Sequence, residues 1–167
     1  DLAGCGGVGD EAVGAVIGAA GGSLRSVVLD FTAVTDATMV RLARECPELE
    51  SVSVWGCEAV TFQGLINFLG SERLRALDVS QTSVFHRPVM AFSALSSLDR
   101  LSSLAFSPSS ILPGIFLPTL RRVTITSPGG SCSGAAGVGD NDMGALAEGC
   151  PNLEEIVLEG CVGVSAE

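Results

Sequence analysis

Gly4-Cys5-Gly6-Gly7-Val8-Gly9 has the spacing G-x-G-x-x-G that lets a backbone approach a dinucleotide pyrophosphate at a helix start. The next residues are Asp10 and Glu11, and two carboxylates at that helix start would repel a phosphate. Gly129-Gly130-Ser131 lacks the Gly-Lys-Ser/Thr that completes a P-loop. His86 is the single histidine, so any Ser–His–Asp triad would have to use it, and no serine stands in a nucleophile elbow. His86 falls in Phe85-His86-Arg87-Pro88, where a loop-to-helix junction and a surface or capping role are expected. Six cysteines raise the question of zinc or disulfides, yet there is no Cys-x-x-Cys and no second histidine. The chain is therefore expected to be no enzyme and to hold no cofactor and no metal.

The cysteines make sense as marks of a repeat. Cys46-Pro47-Glu48-Leu49-Glu50-Ser51-Val52-Ser53-Val54-Trp55-Gly56-Cys57 returns as Cys150-Pro151-Asn152-Leu153-Glu154-Glu155-Ile156-Val157-Leu158-Glu159-Gly160-Cys161. Its core, a Leu followed by apolar residues three and five positions later, recurs at Leu24/Val27/Leu29, Leu49/Val52/Val54 and Leu74/Leu77/Val79. It continues at Leu101/Leu104/Phe106, Leu120/Val123/Ile125 and Leu153/Ile156/Leu158. Alternation at the last two positions predicts strands near residues 26–29, 51–54, 76–79, 103–106, 122–125 and 155–158.

A short loop follows each core. It passes Cys5, Thr32, Cys57, Thr82 or Cys161 and reaches a Val, in three residues after Cys and in two after Thr. Gly9-Asp10, Thr35-Asp36, Thr61 and Gly139-Asp140 then offer side-chain oxygens to the first free N–H groups of a helix. Inward helical positions are expected at Met39, Val40, Leu42, Ala43 and Cys46, at Leu65, Ile66 and Leu69, and at Met143, Leu146, Ala147 and Cys150. Pro47 and Pro151 stop two of these helices. The unit is strand, loop, helix, return turn. Residues 1–167 form one domain of about six to seven such units. One unit is compressed over 95–120, where the prolines leave no room for a proper helix, and a Gly/Ser-rich insertion at 127–137 reads as a surface loop.

The pattern Cys-Pro-x-Leu-x-x-Leu-x-Leu-x-x-Cys-x-x-Val-Thr-Asp resembles the cysteine-containing subtype of leucine-rich repeats, best known from F-box proteins, the substrate receptors of cullin-based ubiquitin ligases. The resemblance implies a right-handed α/β solenoid (a horseshoe) with one parallel sheet on the concave face and helices on the convex face. It implies a protein–protein interaction module, with the substrate-recognition repeats of an F-box-type receptor as the first function and a scaffold subunit of a large assembly, such as an axonemal complex, as the alternative. A ubiquitin-ligase adaptor would then bind through a region outside this chain. The chain begins within a unit and stops where a helix is due, so it is expected to be part of a longer solenoid.

Composition narrows the partners. The net charge is −10 and all nine basic residues are Arg, which disfavours nucleic acid, since phosphate binding needs clustered cations. No apolar run approaches the roughly 18–20 residues that cross a bilayer, so no membrane partner is expected. Cys5 and Cys57 lie two units apart, roughly 10 Å at the strand spacing of a sheet, too far for a disulfide. Five cysteines are expected as reduced structural thiols, with those in the loops giving S–H bonds to neighbouring carbonyls, and Cys132 as the exposed one. Reduced thiols point to an intracellular chain, cytoplasmic or nuclear.

Protein partners remain, and the outward strand positions are where one would dock. Most are small. Trp55, the single tryptophan, is the exception, and the expected protein-binding set is Trp55, Asp30, Ser53, Asp78, Arg122 and Glu155. The alternative for Trp55 is that it folds against Phe31 and merely covers the sheet.

Overall fold

The computed structural model describes residues 1–107, 116–127 and 140–159. Six strands form one all-parallel sheet in chain order: β1 (Ser26–Val28), β2 (Ser51–Ser53), β3 (Ala76–Val79), β4 (Ser103–Phe106), β5 (Arg122–Thr126) and β6 (Glu155–Glu159). The helices are α1 (Asp10–Ala20), α2 (Asp36–Glu45), α3 (Phe62–Leu65), α4 (Pro88–Leu95) and α5 (Asp140–Gly149). The class is α/β, and all six strands lie where the repeat pattern predicts them.

The register explains why the pattern works. Val27, Val52, Leu77, Leu104, Val123 and Ile156 form one continuous row across the sheet. In the next inward row, Val79, Phe106, Ile125 and Leu158 are paired in turn. Leu49, Leu74, Leu101 and Leu120, which open the units, are buried beneath the same core. A side-chain period of two forces every second residue of each strand to one face, so aligned strands stack like on like. The rows are covered in mid-sheet and open at the last strand, where Ile156 is 48 % exposed.

The polar loops hold consecutive units together. The Leu29 carbonyl accepts from the Thr32 hydroxyl at 2.6 Å and from the Cys57 thiol at 3.1 Å. Thr82 repeats the Thr version, donating to Val79 O at 2.6 Å. In the Cys loops the turn closes through backbone bonds instead, Val8 N to Cys5 O and Val60 N to Cys57 O. The extra residue after Cys gives the four-residue span that this Val-to-Cys bond needs. Cys46, Cys57 and Cys150 are buried free thiols. Cys5 departs from the expectation: it is exposed. Cys132 and Cys161 lie outside the described residues.

Asp10 and Asp36 correct another expectation. They do not cap their own helices but reach across to the next one. Asp10 accepts from the N–H and hydroxyl of Thr35 (2.9 and 2.8 Å) and of Thr38 (3.2 and 2.6 Å). Asp36 accepts from the N–H and hydroxyl of Thr61 at 2.7 and 2.6 Å. Thr35 and Thr61 are then free to cap α2 and α3 through Ala37 N and Gln63 N, each at 3.1 Å. Burial opposes ionisation of Asp10, but the four donors from Thr38 and Thr35 outweigh it and hold the carboxyl below its ordinary value.

The ladder stops where its residues change. Phe62 stands where Asp10 and Asp36 stood, and Phe85 occupies the place of Thr35 and Thr61 after Val84. Phe85 is buried and packs on Phe92 and Phe106, with ring centroids 4.9 Å from each. With no oxygen at the cap, the helix begins later, at Pro88, which has no N–H to leave unpaired. Two helical expectations also change. The α3 stretch passes into a 3₁₀ turn at Ile66–Phe68, where Asn67 Nδ2 bonds back to the Gln63 carbonyl at 2.7 Å, and Leu69 ends exposed. Ala147 faces out of α5. No helix lies between β4 and β5 among the described residues; residues 108–115 and the insertion expected at 127–137, beyond Ser127, lie outside them.

Candidate functional site

The side chains that alternate with the core rows form the opposite face of the sheet. Val28, Ser53, Asp78, Ala105, Thr124 and Val157 make one row. Beyond it the ladder continues past the strand ends: Phe31 N donates to Trp55 O at 2.7 Å and Gly56 N to Ser80 O at 2.9 Å. Asp30, Trp55 and Ser80 therefore follow one another on adjacent chains. Ser107 and Thr126 carry the row onward through a 2.6 Å hydroxyl–hydroxyl contact.

Three of the expected site residues form one bonded group. Asp30 accepts from the Ser53 hydroxyl at 2.5 Å and from Trp55 N at 3.0 Å, so its carboxylate leans over the second strand. Asp78 stands on the next strand and accepts from Ser80 N at 2.9 Å. Burial pushes the Asp78 carboxyl above its ordinary value; Ser80 opposes this, and the carboxylates of Asp30 and Glu159 add to it. The ion pairs Arg41–Glu45, Arg73–Glu48, Arg121–Glu154 and Arg122–Glu155 all use other carboxylates. Neither Asp30 nor Asp78 is ion-paired among the described residues.

Arg122 and Glu155 do not join this group. They pair with each other at 2.5 Å across β5 and β6, in the register row that begins at Ser26. Four strand spacings separate β1 from β5, roughly 19 Å. The expected set is therefore two separate places on one face.

Trp55 lies in the outward row, and its ring packs against Phe31 as the alternative expects, with centroids 5.0 Å apart and planes inclined at 53°. Its indole Nε1 is buried without a hydrogen-bond partner. The group then presents Phe31, which is 47 % exposed, as its outer surface. Phe31 was absent from the expected set, yet its backbone marks it. Its φ is +55°, and the equivalent residues are Gly4 at +76°, Gly56 at +70° and Gln81 at +52°. An L-residue there costs about 1–2 kcal/mol, more readily tolerated by glycine than by a bulky side chain. A phenylalanine at a position where Gly4 and Gly56 stand in other units was the signal to read. Gly56 is needed twice over: a Cβ on it would sit 2.5 Å from the Phe31 ring.

No family model matches the chain, and no curated protein matches it. The site must therefore be judged on its own chemistry. Burial pushes the Cys46 and Cys150 thiols up, away from the reactive thiolate. His86 is exposed on the 3₁₀ turn Val84–His86, directly before α4. Among the described residues no group of three His, Cys, Asp or Glu side chains is arranged to hold a metal ion, and no helix is long and apolar enough to cross a membrane.

Proposed function

We propose that this chain is a protein-binding module whose contact surface is the outward face of the sheet around Phe31 and Trp55. One observation carries the proposal: the half-exposed Phe31 packs on Trp55 beside two carboxylates that have no ion-pair partner among the described residues, with small side chains as their immediate row neighbours. Aromatic anchors are enriched at interface centres. Parallel strands in sequential order place rows from consecutive units side by side, so one ligand can touch several units.

The repeat pattern and the 25-residue bonding offsets support placing the chain with the leucine-rich-repeat solenoids, with this face as the concave one. Within that class we favour the substrate-recognition repeats of an F-box-type ubiquitin ligase receptor. The second function is a scaffold subunit of a large assembly. Capture on immobilised wild-type and Trp55→Ala chains, identified by mass spectrometry, tests the module. A partner lost with Trp55→Ala, while the melting profile is kept, supports it; a partner set unchanged by the substitution moves the contact surface elsewhere. A captured protein whose ubiquitylation in cells depends on the full-length receptor indicates the ligase, and stoichiometric co-purification without ubiquitylation indicates the scaffold.

A further inference from the structure

We propose that Phe31, Trp55, Asp30 and Asp78 together form a receptor for an arginine side chain presented by a partner protein. This rests on the protein-binding function above and names the chemistry it would recognise.

Charge and shape both select the ligand. Asp30 and Asp78 stand on either side of the chain that carries Trp55, and Asp30 leans toward Trp55 N and toward Ser53, which is the register partner of Asp78. Each carboxylate spends part of its accepting capacity on protein donors and keeps further lone pairs for a ligand. Nine arginines are distributed over the chain, yet none pairs with either acid among the described residues. The net charge of −10 draws cationic partners toward the molecule as a whole.

The aromatic pair separates arginine from lysine. A cation over the face of an aromatic ring is attracted by the ring quadrupole. The planar guanidinium can stack on such a face and still fork two hydrogen bonds toward carboxylates, whereas an ammonium is compact and more strongly hydrated. Phe31 is held in a left-handed backbone conformation with its ring half in water. The equivalent positions in other units carry Gly4, Gly56 and Gln81, none of which presents a ring. An exposed aromatic retained against backbone strain is where a ligand contact is to be sought.

The single tryptophan makes the test direct, since the chain has no tyrosine and intrinsic fluorescence reports on Trp55 alone. The probes are the capped pentapeptides Ala-Ala-Arg-Ala-Ala and its lysine, citrulline and glutamate counterparts. The arginine peptide should change the fluorescence saturably, with a Kd on the order of 1 mM, weakening with added salt as charge screening requires. Lysine should bind about fivefold more weakly, and citrulline, which keeps the shape and loses the charge, should not saturate. Asp78→Asn should weaken arginine about tenfold, as loss of a charge-assisted bond does. Phe31→Asn, which keeps a residue tolerant of positive φ, should weaken it severalfold without unfolding the domain. A citrulline response equal to that of arginine, unchanged binding by Asp78→Asn in a folded protein, or no saturable response to arginine up to about 10 mM would each overturn the arginine receptor. If those failures came with partner capture still dependent on Trp55, the protein-binding function would stand and only its ligand chemistry would fall.

Discussion

The first three units and the last three solve one problem in different ways. From β1 to β3 the spacing is 25 residues, and polar side chains bond one unit to the next: Asp10 to Thr35 and Thr38, Asp36 to Thr61, Thr32 and Cys57 to one carbonyl. From β4 onward the offset becomes 19 residues between β4 and β5 and 33 between β5 and β6. Phe85 and Phe92, between β3 and β4, pack with Phe106 of β4 to fill the interior where the regular half ends, and the exposed pairs Arg121–Glu154 and Arg122–Glu155 span the last two strands. A directional bond requires its partner at a fixed offset, so it suits equal units. Apolar packing is not directional and tolerates a shortened or lengthened unit.

The largest expected effect lies in the irregular half. Phe106→Ala removes the ring shared by Phe85 and Phe92 and should cost about 3–5 kcal/mol, read by denaturant unfolding. A cost below about 1 kcal/mol would mean that the exposed pairs and loops, not the aromatic cluster, hold this half.

Asp10→Ala comes next. It leaves the Thr35 and Thr38 donors unmatched, and with part of the site open to solvent the cost should be about 1–2 kcal/mol. Because the folded carboxyl titrates below its ordinary value of 3.8, its contribution is fully present above 3.8 and is lost as pH falls through the lowered value. Wild type should therefore lose its advantage over Asp10→Ala only in strong acid. An advantage already gone at pH 5 would break the assignment of the regular half to this ladder.

Asp78→Asn should act in the opposite sense and more weakly. The folded carboxyl is raised, so its ionised form carries a penalty at neutral pH that is relieved as pH falls toward 3.8. The variant should be more stable than wild type at pH 7, by less than about 1 kcal/mol, with no gain at pH 3. A variant less stable at pH 7 would show that the charge serves the fold rather than a partner.

Phe31→Asn should change stability least, within about 0.5 kcal/mol. Relief of an unfavourable backbone position offsets the lost contact with Trp55, worth about 0.5–1.5 kcal/mol. A loss of 2 kcal/mol or more on this order-of-magnitude scale would make Phe31 part of the structural framework.

The strands and their register were legible in the chain because burial on a sheet has a period of two and every unit restates it. Val52, Leu77, Leu104 and Val123 align by sequence spacing alone and pair in that register. The site was legible only in part. Trp55, Asp30 and Ser53 come together because their positions lie side by side in adjacent units. Arg122 and Glu155 fall away because sharing a face does not mean sharing a place on it.

What the sequence by itself determined is the order of the elements, the inward rows and the thiols and hydroxyls that mark each loop. All of these depend on neighbours a fixed number of residues apart. What only the tertiary structure decided is where each polar side chain turns. Asp10 could cap α1 or serve α2, and Asp78 could sit in water or be desolvated. Phe31 could hide against the sheet or stand over Trp55 with half its surface exposed. Such choices depend on donors, rings and charges supplied by the next unit, and no local pattern of residue types carries the distances that settle them.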